Sequence, residues 1–193
     1  MRSNLVSALA AVAAAAVIGC GGEDEPTTTE PSGPTPHDPG VGAEGGPRGE
    51  LRAGGIGTVE VGASEDEVAE AFGEPIDKLE VDFGAGKSAP QMNWIYRFSD
   101  GDVTIKFDNR SESFAAYDVY TTELATEDGI KVGDEEAVLR KRYGDRLAES
   151  PLGLDSLVLS EGEPGSSPAL TFALKGGKVM AISGGDIVQP AGE

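Results

Sequence analysis

Residues 61–75 read VGASEDEVAEAFGEP, and this stretch decides the fold. Its apolar side chains recur at helical spacing up to Phe72, which predicts a short amphipathic helix. Ser64 and Glu67 have the spacing of a capping box, in which two side chains satisfy backbone N–H groups at the helix N-terminus. Gly73 is a typical helix stop signal. The sequence therefore predicts a short helix with a defined start and end.

The same pattern occurs a second time further along the chain. The short β segment Thr58–Gly62 aligns without a gap with Gly129–Gly133, at an offset of 71 residues. The second helix has acidic residues at its start and basic residues at its end, the signs that the helix dipole favours. We interpret this as one unit written twice. The matched helical positions are Glu65 and Glu136, Val68 and Leu139, Phe72 and Tyr143, and Gly73 and Gly144.

Strands are predicted after each helix, because the apolar period changes to two. Residues 94–98 and 103–107 alternate across the turn Asp100-Gly101, and residues 170–174 and 179–182 alternate across a second glycine turn. The sequence predicts an α+β fold of two tandem helix-plus-antiparallel-hairpin units, about 56–126 and 127–190, in a two-layer helix-on-sheet arrangement. A further strand is expected at 114–121, and weaker ones at 79–83 and 157–159.

Residues 61–75 resemble the Gly-x-Ser/Thr-x-x-x-Val-x-x-x-aromatic/Leu-Gly-x-Pro signature of small outer-membrane lipoproteins of the BamE/SmpA type. Two such units in tandem resemble the beta-lactamase-inhibitor-protein fold, in which each repeat lays short helices on an antiparallel sheet. The resemblance covers roughly residues 56–188. The second copy departs from the signature, with Glu135 at the Ser/Thr position and Asp145-Arg146 in place of Glu-Pro. The resemblance implies a non-enzymatic envelope module that binds another protein.

The N-terminus predicts a lipoprotein signal peptide at residues 1–19. Arg2 precedes an uncharged run, Leu5–Ile18, which is too short to span a bilayer as a helix. The run ends in Val17-Ile18-Gly19-Cys20, which resembles a bacterial lipobox. The only cysteine of the chain thus stands where acylation needs it, and we expect lipidation of Cys20 and an extracytoplasmic, lipid-anchored body. The alternative is an ordinary secretory signal with a chance cysteine.

Residues 20–50 are predicted to be the lipidated cysteine followed by a disordered acidic linker. Residues 21–50 are rich in glycine, proline and acidic residues, and Val41 is their only sizeable aliphatic side chain. Such a stretch cannot bury enough apolar surface to offset the entropy of ordering. The globular domain is expected to begin at residue 51. The threonines around Thr28 could alternatively carry glycans or bind a partner.

Composition excludes several classes of function. The chain has 193 residues with 15 basic and 34 acidic ones, a formal charge of -19, so nucleic acid is not an expected partner. Its single histidine, His37, lies in the predicted linker, which leaves no residues for histidine catalysis or a His/Cys metal site. We predict no catalytic residues, metal or cofactor. Gly84–Ser88 looks like part of a phosphate-binding loop but lacks its first glycine.

Two candidate binding surfaces remain. Trp94, Tyr96 and Phe98 alternate on one strand and form either an aromatic binding face or the core beneath the helices, the simpler interpretation. Arg140, Lys141 and Arg142 form a basic cluster that could meet lipid head groups or an acidic partner, or could simply be a solvated helix end. We expect a protein-binding or assembly lipoprotein that contacts lipid through Cys20 and another envelope protein or wall component. The alternative is an enzyme or small-ligand receptor that uses carboxylates alone.

Overall fold

The computed structural model describes residues 45–82, 91–150, 155–160, 162 and 167–185. The predicted signal peptide, Cys20, most of the predicted linker and the Gly84–Ser88 loop lie outside the described residues. No helix in the described ranges is long and apolar enough to cross a membrane.

The main element of the described chain is one antiparallel sheet of eight strands, β4 to β11. Their spatial order is β4-β5-β6-β7-β11-β10-β9-β8, so two meanders meet where β7 pairs with β11. Three two-residue strands, β1 to β3, form a small separate sheet. The strands of the small sheet are Leu51–Arg52, Gly55–Ile56 and Val59–Glu60; those of the large sheet are Asp77–Val81, Gln91–Arg97, Asp102–Asp108, Ser113–Val119, Leu147–Glu149, Ser156–Ser160, Ala169–Lys175 and Lys178–Gly185.

Two helices of eight residues each precede the two meanders, α1 at Glu65–Phe72 and α2 at Glu136–Tyr143. The predicted capping box of α1 is confirmed: the Ser64 N–H donates to the Glu67 carboxylate, and the Glu67 N–H donates to the Ser64 hydroxyl. At α2 the N-cap position has no side-chain cap hydrogen bond. The predicted helices therefore form at the expected positions.

Each helix is hydrogen-bonded to the sheet through the residues just before it. The Gly62 N–H donates to the Phe114 carbonyl on β7, and the Gly133 N–H donates to the Val179 carbonyl on β11, both at 2.7 Å. Both acceptors lie near the start of their strands, and β7 and β11 are the two strands at the centre of the sheet. The backbone thus fixes both helix N-termini against central strands.

The core lies between the large sheet and the layer formed by the helices and the small sheet. Register places Tyr96 and Phe172 on the same sheet face. The Phe72 ring packs edge-on against Tyr96 with centroids 6.2 Å apart, and the Tyr143 ring lies 5.8 Å from Phe172. All of these rings are buried. The architecture is mostly β, with two helices covering one face of an antiparallel sheet, in keeping with the predicted α+β class.

One predicted strand is wrong. Thr58–Gly62 contains β3, but the aligned stretch Gly129–Gly133 forms no strand. The Thr126 N–H donates to the Ile130 carbonyl at 2.9 Å, and the Ile130 N–H donates to the Thr126 hydroxyl at 3.1 Å. A local turn thus satisfies these backbone groups, while the Ile130 side chain is buried. The apolar pattern reflects burial and not strand pairing.

The ordered body begins earlier than residue 51. The Gly46 N–H donates to the Phe72 carbonyl at the end of α1, and Pro47 is buried. A Cβ atom at Gly45 would collide with the same carbonyl oxygen, so this close approach requires glycine. Glycine and proline, which favoured a linker in the sequence, here allow a tight backbone contact with the helix.

A reciprocal pair of carboxylates holds the β5–β6 turn to the segment after β7. The Asp100 carboxylate accepts from the Thr121 hydroxyl and from the N–H and hydroxyl of Thr122. The Glu123 carboxylate accepts in return from the N–H and hydroxyl of Ser99, at 3.0 and 2.6 Å. The hydrogen bonds from Thr121 and Thr122 lower the pKa of the Asp100 carboxyl to about 2. We call this group the carboxylate clasp; it consists of Ser99, Asp100, Thr121, Thr122 and Glu123.

Replacing Phe72 by Ala is expected to lower the free energy of unfolding by about 3 kcal/mol or more, because the buried ring leaves a cavity beside Tyr96. Val138→Ala is the matched control, since this helical side chain is 47% exposed, and its effect should stay within about 0.5 kcal/mol. Urea unfolding measures both values. Equal effects of the two substitutions would contradict the packing described above.

The carboxylate clasp predicts a specific acid sensitivity. The pKa of Asp100 lies below its ordinary value of 3.8, so its stabilising effect is present above that pH and is lost as pH falls through about 2. Asp100→Asn should therefore show a shallower loss of stability across this window than the original chain, in urea midpoints measured against pH. Asp102→Asn, on the same hairpin but outside the clasp, is the matched control for the loss of one negative charge, and an equal change of slope in both variants would contradict the role of the clasp.

Candidate binding surfaces

The predicted aromatic row lies in the core and not on an open surface. Trp94 and Tyr96 are each 2% exposed, and Phe98 is half-buried. The Tyr96 hydroxyl donates to the Gly73 carbonyl at 3.1 Å, and burial raises the pKa of Tyr96. The Trp94 and Phe107 rings pack against each other at an interplanar angle of 52°, with centroids 4.7 Å apart. The simpler interpretation of this row holds, because a partner could not reach Trp94 or Tyr96 without opening the domain.

The predicted basic cluster is exposed at the end of α2. Arg140, Lys141 and Arg142 occupy its last turn, where positive charge complements the helix dipole. The Arg140 Nε donates to the Glu136 carboxylate at 2.7 Å, one turn earlier on the helix. The Arg146 guanidinium lies 5.8 Å from the centroid of the buried Tyr143 ring. The cluster is accessible, but Arg140 is already paired with Glu136 within the helix.

An open depression of about 660 Å³ lies beside α1 and β3. The Glu67 carboxylate on its wall accepts hydrogen bonds from the backbone and hydroxyl of Ser64, and these lower its pKa. A carboxyl group that serves as a general acid near neutral pH needs a raised pKa, so the environment of Glu67 does not suit that role. The lining residues are Thr58, Val59, Glu60, Gly62, Ala63, Glu67, Glu70 and Ala71.

The sheet face opposite the helices carries a polar network across its three central strands. The Lys106 ammonium on β6 lies 2.6 Å from the Asp118 carboxylate on β7. The Ser183 hydroxyl on β11 donates to the same carboxylate at 2.7 Å. The Lys106 and Asp118 side chains are 26% and 18% exposed, so this ion pair is better shielded than most surface pairs. Register places Thr104 beside Asp118 and Thr171 beside Ser183, on the same face.

No motif in the sequence marks these residues as a site. Lys106 and Asp118 occupy the polar positions of alternating strands, which is the only local signal that they share a face. Ser183 joins them only because β11 pairs with β7, and no local pattern encodes that pairing. Within the described ranges, no group of three or more His, Cys, Asp or Glu side chains is placed to hold a metal ion.

Comparisons with known proteins identify no family. No family model matches the chain, and no curated protein matches it. Among solved structures, the uncharacterized protein yfeY from Escherichia coli is 17% identical with a TM-score of 0.45, over 74% of this chain and 97% of that one. An extracellular SCP-domain protein from Bacillus anthracis is 11% identical with a TM-score of 0.41, over 66% of this chain, which spans only 44% of that protein. A protein from Streptococcus mutans, provisionally named a beta-lactamase inhibitor protein, is 13% identical with a TM-score of 0.30, over 69% of this chain and 86% of that one. These likenesses are too loose to assign a function.

Proposed function

We propose that the protein is a lipoprotein of the bacterial cell envelope that binds another envelope protein or a wall component and catalyses no reaction. Acylated Cys20 anchors the chain to the membrane on the extracytoplasmic side. The lipobox-like sequence that ends at the only cysteine supports this anchor. An acidic linker then holds the ordered body away from the lipid surface, where like charges repel it.

The ordered body consists of two tandem units in this proposal. The two helices have equal lengths and begin 71 residues apart, at Glu65 and Glu136. Each is followed by a four-stranded meander, and each N-terminus is bonded to the last strand of its own meander. The isolated bridges Ser64–Ser113 and Glu135–Lys178 occupy corresponding places. Duplication of one unit accounts for all of these correspondences.

The observation that carries the binding proposal is the polar face of the large sheet. The Lys106–Asp118–Ser183 network is fixed by three central strands, so its charges and hydroxyl keep their geometry without a ligand. Preorganised polar groups on a rigid sheet reduce the entropy lost on binding. Thr104 and Thr171 extend this face on both sides with further hydroxyl groups. A partner with complementary polar groups fits such a face.

The alternative function, a carboxylate enzyme or small-ligand receptor, has weaker support. It would require a carboxyl group with a raised pKa in an enclosed pocket. The two carboxyl groups with resolved shifts in the described ranges are Glu67 and Asp100, and both pKa values are lowered. Both groups are engaged in hydrogen bonds that stabilise local structure. The geometry therefore favours the binding module.

The anchor is tested by replacing Cys20 with Ala in cells supplied with a labelled fatty acid. The original chain should incorporate the label, and Cys20→Ala should lose it and remain uncleaved, because the acylated sulfur is removed. Thr28→Ala, in the predicted linker, is the matched control and should keep the label. Label on Cys20→Ala would refute the lipoprotein assignment.

The binding face is tested by placing a photo-reactive amino acid at Thr104 in the full chain within intact cells. A discrete cross-linked product is expected there, because Thr104 lies beside the Asp118 network. Val138 on α2 is the control, since it is exposed on the helix layer. The same probe is also placed at Thr171 and at Arg142. Identical products at Thr104 and Val138, or no product at Thr104 and Thr171, would count against the sheet face. A product only at Arg142 would assign recognition to the basic cluster.

A further inference from the structure

Within the described residues, the first strand of the large sheet is an edge strand. Within the described residues β4 pairs only with β5, and it ends the order of strands. The opposite edge strand, β8, has three residues, whereas β4 has five. Short edge strands resist further pairing, but longer ones offer a row of backbone groups to a new strand. The β4 edge is therefore the place where this sheet can be extended.

The backbone of β4 shows which residues face outward. The Ile76 N–H donates to the Ile95 carbonyl at 2.8 Å, so Ile95 directs its backbone groups towards β4 and the adjacent Trp94 directs its own away. Lys78 lies opposite Trp94, so its N–H also points away from β5, and it donates to the carboxylate of the adjacent Asp77 at 2.9 Å. Orientation alternates along an antiparallel strand, so Glu80 also directs its N–H and C=O outward. Any strand that joins this edge must form its hydrogen-bonded pairs with Lys78 and Glu80.

The sequence of the edge is self-complementary. The strand reads Asp77-Lys78-Leu79-Glu80-Val81. When a second copy lies antiparallel with Leu79 opposite Leu79, each Lys78 faces Glu80 of the other copy. The neighbouring registers that also use the outward groups place Lys78 opposite Lys78, or Glu80 opposite Glu80. Opposite charges directly across a strand pair stabilise it, and like charges destabilise it. Charge and backbone orientation thus select the same register.

Apolar surface beside the edge supports the same partner. Ile76 and Leu79 are 53% and 45% exposed, and they belong to the small group of large apolar side chains exposed on the described surface. In the self-paired register the two Leu79 side chains contact each other across the two-fold axis. The Lys78 ammonium also lies 3.9 Å from the centroid of the Trp94 ring and 3.7 Å from the Glu74 carboxylate, and these two contacts orient its side chain. The edge thus presents both an apolar contact and an oriented charge.

We propose that two copies of the chain pair through β4 in this register, so that their eight-stranded sheets become one continuous antiparallel sheet. Lys78 and Glu80 of each copy exchange backbone hydrogen bonds with Glu80 and Lys78 of the other. The Asp77 carboxylate releases the Lys78 N–H as the partner's carbonyl replaces it. A strand of this length buries less area than a standard stable interface, and the net charge of -19 opposes association. The dimer is therefore weak and becomes stronger as salt screens the net repulsion.

Disulfide trapping of Leu79→Cys tests the pairing in the full chain with Cys20 replaced by Ser, which leaves one thiol. In the proposed register the two residues at position 79 form a non-hydrogen-bonded pair with Cα atoms about 4.5 Å apart, within disulfide range. A disulfide-linked dimer should form under mild oxidation, with a yield that rises with salt. Ile76→Cys is the matched control, because its two copies would be about 20 Å apart and should not cross-link.

A charge swap separates the register from general association. In the Leu79→Cys chain, Glu80→Lys places Lys opposite Lys twice and should lower the dimer yield by about fivefold or more. This substitution also reduces the net negative charge, so a non-specific association would become stronger. The double change Lys78→Glu with Glu80→Lys restores the opposite charges at unchanged net charge, and it should restore the yield.

Three results would overturn the proposal. The first is an equal dimer yield from Ile76→Cys and Leu79→Cys, and the second is a dimer yield that Glu80→Lys increases. The third is the absence of a dimer at high salt from a Leu79→Cys chain whose unfolding transition matches that of the original. None of these results bears on the Cys20 anchor or on the polar sheet face, which are tested independently.

Discussion

The structure depends on the antiparallel pairing of β7 with β11, which joins the two meanders of the large sheet in the described part of the chain. Two glycines make this pairing possible. A Cβ atom at Gly184 would collide with the Tyr117 ring, and one at Gly185 would collide with the backbone of β7. The Tyr117 ring occupies the space above Gly184, and its hydroxyl donates to the Arg52 carbonyl at 2.7 Å. The Tyr117 side chain thus connects the β7–β11 pairing, which we call the seam of the large sheet, to the small sheet.

Local features of the fold were accessible from sequence, whereas the long-range ones were not. The capping residues Ser64 and Glu67 and the alternating strands around Asp100 are encoded within a few residues, and the structure has them where predicted. Strands β1, β2 and β8 contain two or three residues, too few to show a period. The turn at Thr126–Ile130 satisfies its backbone groups locally, so an apolar pattern that resembled a strand did not become one.

The candidate surfaces show the same division. Alternation placed Trp94, Tyr96 and Phe98 on one face, but only the packing of Phe72 and the helix layer decides that this face is the core. The basic residues Arg140 to Arg142 are exposed, as a helix end predicts. The Lys106–Asp118–Ser183 network required the order of strands, since Ser183 lies 65 residues from Asp118 in sequence. A polar site that is assembled from strands far apart in the sequence leaves no local sequence motif.

The position of the seam also determines when the fold can be completed. Strand β11 is the last strand of the described chain, and its residues 178–185 are made after those of every other strand. Until they emerge, β7 has one unpaired side, and the apolar side chains of Phe114, Tyr117 and Val119 lack part of their cover. In an incomplete chain β7 is therefore an unpaired edge strand with exposed apolar side chains. Such a surface promotes aggregation and recruits chaperones. The first meander must therefore remain protected during synthesis until β11 pairs with β7.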